Sequence, residues 1–132
     1  MLIEWNGSLE IGNPLIDDDH RRLVAEANEL YDLISAKEKS DVVLAKIRDF
    51  AASLYRHFAA EEQLMQESGY PDLETHAADH TAFAREIDQL LVDCDIRTDY
   101  LDTLVPLVFR LMVSHRDGAD AALAEFLRPR AP

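Results

Sequence analysis

Cysteine occurs once in this chain, as Cys94, and glycine only four times. A lone thiol excludes an internal disulfide and fits a reducing compartment; it reads as a small buried hydrophobe closing a helix. Cations are scarce as well, 13 Lys and Arg against 26 Asp and Glu, for a formal net charge of −13. That balance argues against nucleic acid as a partner, because affinity for phosphate backbones comes largely from Lys and Arg. The terminal Arg128-Pro129-Arg130 is too short to reverse it and reads as a frayed tail.

Long apolar runs are missing too. The richest stretch, Leu104 to Val113, is broken by Pro106 and Arg110, so nothing approaches the roughly 18 residues of a membrane span. Met1 to Gly7 carries Glu4 and no apolar run of signal-peptide length. Neither membrane insertion nor export is expected, and the expected location is the cytoplasm.

What the chain does have is 132 residues, 48% of them hydrophobic, and an abundance of Ala, Leu, Glu and Asp. This suits one helical domain, with an N-terminal arm over about 1–15 and a bundle over about 16–127. Hydrophobic periodicity divides it into four segments. The first runs from about Asp17 to Ala36, with Ile16, His20, Leu23, Val24, Ala27 and Leu30 on one face; Asp17, Asp18 and Asp19 read as capping and solubilising residues rather than ligands. The second, capped by Ser40 or Asp41, continues to about Glu67 and is closed by Gly69 and Pro71. The third starts near Asp72 and reaches Cys94. In the fourth, Pro106 favours a start near Asp102 or Thr103, where its missing N–H falls in the first turn.

All five histidines lie on the apolar faces of these segments. His57 and Glu61, and likewise His76 and His80, stand four apart and project side by side on a helix. His115 and Asp120 are five apart, which rotates them by roughly 140° on an ideal helix. A local break at Gly118 could bring Asp120 round, or Asp120 could reach a second metal atom from a different angle. Short connections imply an all-α, up-down-up-down antiparallel four-helix bundle. His20 comes early in its helix, His57 and Glu61 late, His76 and His80 early, His115 and Asp120 late. In such a bundle these positions share one end.

A single histidine on an apolar face is ordinarily a packed side chain with a hydrogen-bond partner. Five of them with two carboxylates in one layer need another account, because unpaired buried polar groups cost roughly 1–3 kcal/mol each. Metal supplies it. Zinc saturates with about four ligands, so seven imply two ions. Five nitrogens, two bridging carboxylates and a bridging oxygen fill about eleven of roughly twelve octahedral positions on a pair of cations, for which iron is the common choice. The alternative bundle pattern needs two Glu-x-x-His motifs, and this chain contains none.

The ordered set Trp5, Ile16-Asp17-Asp18-Asp19-His20 with Leu23, His57-Phe58-Ala59-Ala60-Glu61-Glu62 with Met65, Gly69-Tyr70-Pro71, His76-x-x-x-His80 with Phe83, and His115-x-x-x-x-Asp120 resembles the hemerythrin family, specifically its single-domain bacterial members. The resemblance covers nearly the whole chain. It implies a four-helix bundle around a non-haem di-iron centre, bridged by an oxo or hydroxo oxygen and two carboxylates, that binds dioxygen reversibly and is not an enzyme. Carried over residue by residue, it puts His76, His80 and His115 on one iron, His20 and His57 on the other, and Glu61 and Asp120 across both. Leu23, Phe58, Leu111, Met112 and Arg116 would line the oxygen pocket. Glu62 is expected at the surface or behind a ligand.

The chain departs from the family near its last histidine. A tryptophan usually stands four residues before it, where this chain has Leu111, and an apolar residue usually follows it, where this chain has Arg116. Arg116 is expected to snorkel to solvent. Storage, transport or buffering of oxygen is the function implied; a di-iron peroxidase, or a protein that handles nitric oxide or senses oxygen, is the alternative that a wetter pocket would favour.

Overall fold

In a computed structural model, residues 2–7, 10–93 and 100–128 are described. Helix α1 (Pro14–Ser35) begins three residues before the expected Asp17. Its N-cap is Asn13, whose side chain accepts from the Leu15 and Ile16 amides, and Pro14 occupies the first turn, where no N–H is needed. Asp17 therefore lies inside the helix. Its carboxylate accepts from the Ile11 and Gly12 amides at 2.8 and 3.2 Å, tying the incoming chain to the helix start.

Helix α2 (Ser40–Ser68) follows a four-residue connection. Lys39 is its N-cap and makes no side-chain capping bond, so neither Ser40 nor Asp41 fills that role. At its far end Gly69 adopts φ 70°, and the Gly69 and Tyr70 amides return to the Gln66 and Met65 carbonyls. This left-handed closure turns the chain into α3 (Leu73–Asp93). Cys94 lies outside the described residues, as do Pro129 and Arg130 of the expected tail.

The fourth helix is continuous over three stretches: α4 (Tyr100–Phe109), a π-helical segment (Arg110–Asp120) and α5 (Ala121–Leu127). Helix is already present at Tyr100, so Pro106 stands in the interior of α4, not in a first turn near Asp102 or Thr103. The proline is exposed, while Leu104, Leu107, Val108 and Leu111 are almost fully buried on the opposite face. Each such side chain stabilises by roughly 1.5–3 kcal/mol. Together they outweigh one lost hydrogen bond.

α1 packs on α2 and α4, and α3 packs on α2 and α4, the square order of an up-down-up-down bundle. The core has two parts. The larger one includes Leu23, Val24, Leu30, Ile47, Leu54, Phe58, Val108, Leu111 and Met112; a smaller one of Ile16, Met65, Tyr70 and Leu123 occupies one end. The N-terminal arm is held to α1 by Asn28, whose Oδ1 accepts from the Leu2 and Ile3 amides and whose Nδ2 donates to the Ile3 carbonyl. No described helix is long and apolar enough to cross a membrane.

The closure at Gly69 gives a direct stability test. A Cβ there would meet no atom within 4 Å, so only the left-handed backbone opposes a side chain. Gly69→Ala should cost about 1–2 kcal/mol in denaturant unfolding, and Gly69→Asn less. An alanine variant as stable as the parent would contradict this.

Candidate metal centre

The layer between the two apolar clusters is polar. His20, His57, Glu61, His76, His80, His115 and Asp120 meet there, and none is more than 7% exposed. α1 contributes His20, α2 contributes His57 and Glu61 one turn apart, α3 contributes His76 and His80, and the π segment contributes His115 and Asp120. All seven sequence-derived candidates are thus brought together.

Asp120 reaches this layer without a break at Gly118, which is helical and has no positive φ. The segment bonds i to i+5, as where the Ala121 amide returns to the Arg116 carbonyl. Residues five apart then occupy the relation that residues four apart have in an α-helix. His115 Nε2 and Asp120 Oδ1 are accordingly 3.1 Å apart.

Each carboxylate divides its two oxygens. Glu61 Oε1 faces His76 Nε2 and His80 Nε2 at 3.1 and 3.2 Å, while Oε2 faces His57 Nε2 and His20 Nε2 at 2.7 and 3.8 Å. Asp120 Oδ1 faces His76 and His115 at 3.0 and 3.1 Å, and Oδ2 faces His20 at 3.0 Å. Two groups able to hold a metal result: Glu61, His76, His80, His115 and Asp120, and His20, His57, Glu61 and Asp120, with ligand atoms within 4.8 Å of one another in each. Both carboxylates belong to both groups.

These short approaches are mostly not hydrogen bonds. His80 Nε2, His115 Nε2 and both Glu61 oxygens are buried without an aligned partner. A chain that left them so would lose roughly 1–3 kcal/mol per group. Lone pairs that converge without donors between them suit a cation, and nitrogen with carboxylate oxygen suits first-row transition metals.

The second ring nitrogens have acidic neighbours, of which the sequence reading anticipated Glu62 and missed Asp19 and Asp79. His57 Nδ1 meets Asp19 Oδ2 at 2.9 Å, His80 Nδ1 lies 3.6 Å from Glu62 Oε2, and His115 Nδ1 lies 3.8 Å from Asp79 Oδ2. At hydrogen-bond distance Asp19 fixes the orientation and tautomer of His57, while Glu62 and Asp79 stand near His80 and His115 as negative charges. Asp19 is therefore more than a solubilising residue. Only its position next to His20 hinted at this role.

Of the pocket candidates, Leu23, Phe58, Leu111 and Met112 are all buried in the larger cluster. The Phe58 ring stacks on His80, with centroids 4.0 Å apart. Arg116 snorkels only as far as the rim: it is 7% exposed. Its Nε donates to the Met112 carbonyl at 2.8 Å, curling the side chain back along the segment, and Nη2 pairs with the exposed Asp117 at 2.7 Å. The charge is met at the rim while the stem stays inside.

Protonation follows from this crowding. Burial alone would lower the His57 imidazole, but Glu61 and then Asp19 outweigh it and raise it to about 9. At His76 burial is likewise overcome, by Asp120 and Glu61, again to about 9. Burial pushes both the Glu61 and Asp120 carboxyls up, and Asp120 adds repulsion at Glu61, yet the surrounding imidazoles hold both below their usual range.

A four-helix bundle with a buried histidine and carboxylate set shared between two clusters is a metal-binding protein. Residues 12–127 match the hemerythrin HHE cation binding domain family. The chain is 31% identical over 126 residues to the bacteriohemerythrin of Stenotrophomonas maltophilia, covering 94% of this chain and 80% of the relative. Identity and coverage are the same for the bacteriohemerythrin of Pseudomonas aeruginosa. The myohemerythrin of Theromyzon tessulatum is 21% identical over 117 residues, covering 89% and 87%. The chain belongs to the hemerythrin family.

The metal-free protein should show a bounded pH optimum. Raised imidazoles stabilise fully below their ordinary 6.5 and lose that contribution as pH rises through about 9. The lowered carboxyls stabilise above their ordinary 4.5 and 3.8 and lose it as pH falls further. Melts of the metal-free chain should therefore be highest at about pH 4.5–6.5. Stability that kept rising to pH 9 would overturn this account.

Proposed function

We propose that this protein reversibly binds dioxygen at a non-haem di-iron centre, for storage, transport or buffering, in the cytoplasm. The observation that carries the reading is the division of the Glu61 and Asp120 oxygens between two imidazole clusters. A carboxylate so placed spans two cations. His76, His80 and His115 would hold one iron and His20 and His57 the other, with Glu61, Asp120 and an oxo or hydroxo oxygen bridging them. The second position would be held by fewer histidines and so would leave room for a small ligand. The iron pair, when present, supplies two electrons to dioxygen and takes them back on release.

The chain's own residues supply the setting. Asp19 steadies the His57 ring from behind, and Glu62 and Asp79 place negative charge near His80 and His115. Leu23, Phe58, Leu111 and Met112 present an apolar wall that excludes water and offers no proton donor. The engagement of Arg116 with the Met112 carbonyl and Asp117 draws its charge toward the rim. This favours carriage over turnover. A di-iron peroxidase, or a nitric oxide or oxygen sensor, would call for that cation in a wetter pocket.

Iron analysis, anaerobic reduction and optical titration with oxygen test the reading. Two irons per chain and a charge-transfer band that disappears when oxygen is removed are expected. Irreversible oxidation with peroxide consumption would move the assignment to the enzyme. Glu61→Ala and His80→Ala should each lower iron content, and full occupancy in either would remove that residue from the ligand set. Because imidazole must be neutral to bind metal, iron should be released as pH falls through the histidine range. Retention down to strongly acidic pH would count against five histidine ligands.

A further inference from the structure

The polar layer is closed along the bundle axis. Ile16, Met65, Tyr70 and Leu123 pack on one side of it and Leu54, Phe58, Leu111 and Met112 belong to the core on the other, and none of the eight is more than 8% exposed. A hydrated cation cannot pass either cluster without desolvation in apolar surroundings, which is prohibitive. Any open route to the ligands must therefore run sideways, between helices.

Among the described residues, clefts on two flanks do so. Between α1 and α2 a cleft of about 340 Å³ is lined by Leu15, Asp19, His57, Ala60, Glu61 and Glu67, and an adjoining one of about 240 Å³ shares Asp19, His57 and Ala60 with it. On the other flank a cleft of about 480 Å³ lies between α3 and the π segment and is lined by Asp79, Ala82, Ser114, His115, Gly118 and Ala119. In the square packing order these two grooves are on opposite sides of the bundle. The first touches the cluster of His20 and His57, the second the cluster of His76, His80 and His115.

Carboxylates mark both paths. Glu67 is exposed, Asp19 is half-buried and Glu61 is buried, so the first cleft steps inward from one oxygen donor to the next. In the second, the carboxylate of Asp79, about half exposed, stands 3.8 Å from His115 Nδ1. On a chain of charge −13, such acidic clefts concentrate divalent cations locally. At Gly118 no atom lies within 4 Å of where a Cβ would be, which helps keep the second cleft open.

We infer that the two metal positions are loaded separately from opposite flanks: divalent cations reach the His20–His57 position through the α1–α2 cleft and the His76–His80–His115 position through the cleft between α3 and the π segment. The inference rests on the two-metal reading above. The shared carboxylates couple the positions once filled, but each has its own way in.

Tryptophan placed at an exposed alanine in each cleft should plug it without replacing a ligand. Ala60 and Ala82 are both exposed. Metal-free Ala60→Trp and Ala82→Trp would be mixed anaerobically with cobalt(II) alone, and the visible absorption followed in time. Each variant should fill half of the total amplitude at the parental rate and the other half roughly tenfold more slowly, since blocked access then waits on helix opening. The double variant should be slow throughout. Final cobalt content should remain two per chain in every case. Gln63→Trp and Ser114→Trp, also at exposed positions beside the same clefts, replace either variant that loses helicity. Both halves slowed by one plug, or neither slowed by either, would overturn separate loading while leaving the two-metal reading intact. Fewer than two cobalt ions in the unsubstituted protein would instead defeat the two-metal reading.

Discussion

Seven polar side chains share one buried layer of this bundle, and the rest of the structure is arranged around their desolvation. Water cannot satisfy them at exposures of 7% or less, and several of their atoms have no aligned hydrogen-bond partner. The apolar clusters above and below stabilise the fold enough to carry that cost. They also keep the layer dry. In the metal-free chain, raised imidazoles facing lowered carboxyls make the arrangement tolerable, and a cation competes directly with those protons.

The π-helical segment is the least ordinary part of the backbone. An α-helical fourth strand of the bundle would point His115 and Asp120 in different directions, and only one could face the layer. Bonding i to i+5 over Arg110–Asp120 lets both do so and also buries Leu111, Met112 and Arg116. Its stability comes from the neighbours it packs against, and Arg116 adds a side-chain bond to the Met112 carbonyl from within. Departures from regular helix at functional positions are a recurring feature of proteins.

Around the layer, the acidic residues divide by depth. Glu61 and Asp120 sit inside, Asp19, Glu62 and Asp79 stand behind ring nitrogens, and others pair with Arg and Lys on the helix surfaces, as Glu29 does with Lys46 and Glu86 with Arg110. The same gradient leads from the surface to the ligands along the lateral clefts.

The periodicity of the chain determined by itself that there would be four helical segments, and that His20, His57, Glu61, His76 and His80 would lie on their apolar faces, because helical spacing is a local property. Early and late positions along each segment then sufficed to bring those residues to one end. Helix starts were less legible: Asn13 and Pro14 outcompeted the acidic run at Asp17, and Pro106 was carried inside α4 by buried leucines that no local rule weighs. The facing of Asp120, the inward stem of Arg116 and the pairing of Asp19 with His57 were decided only by the tertiary structure. Each depends on contacts between residues on different helices, or on a backbone register that such contacts hold in place, and neither is encoded in spacing along one segment.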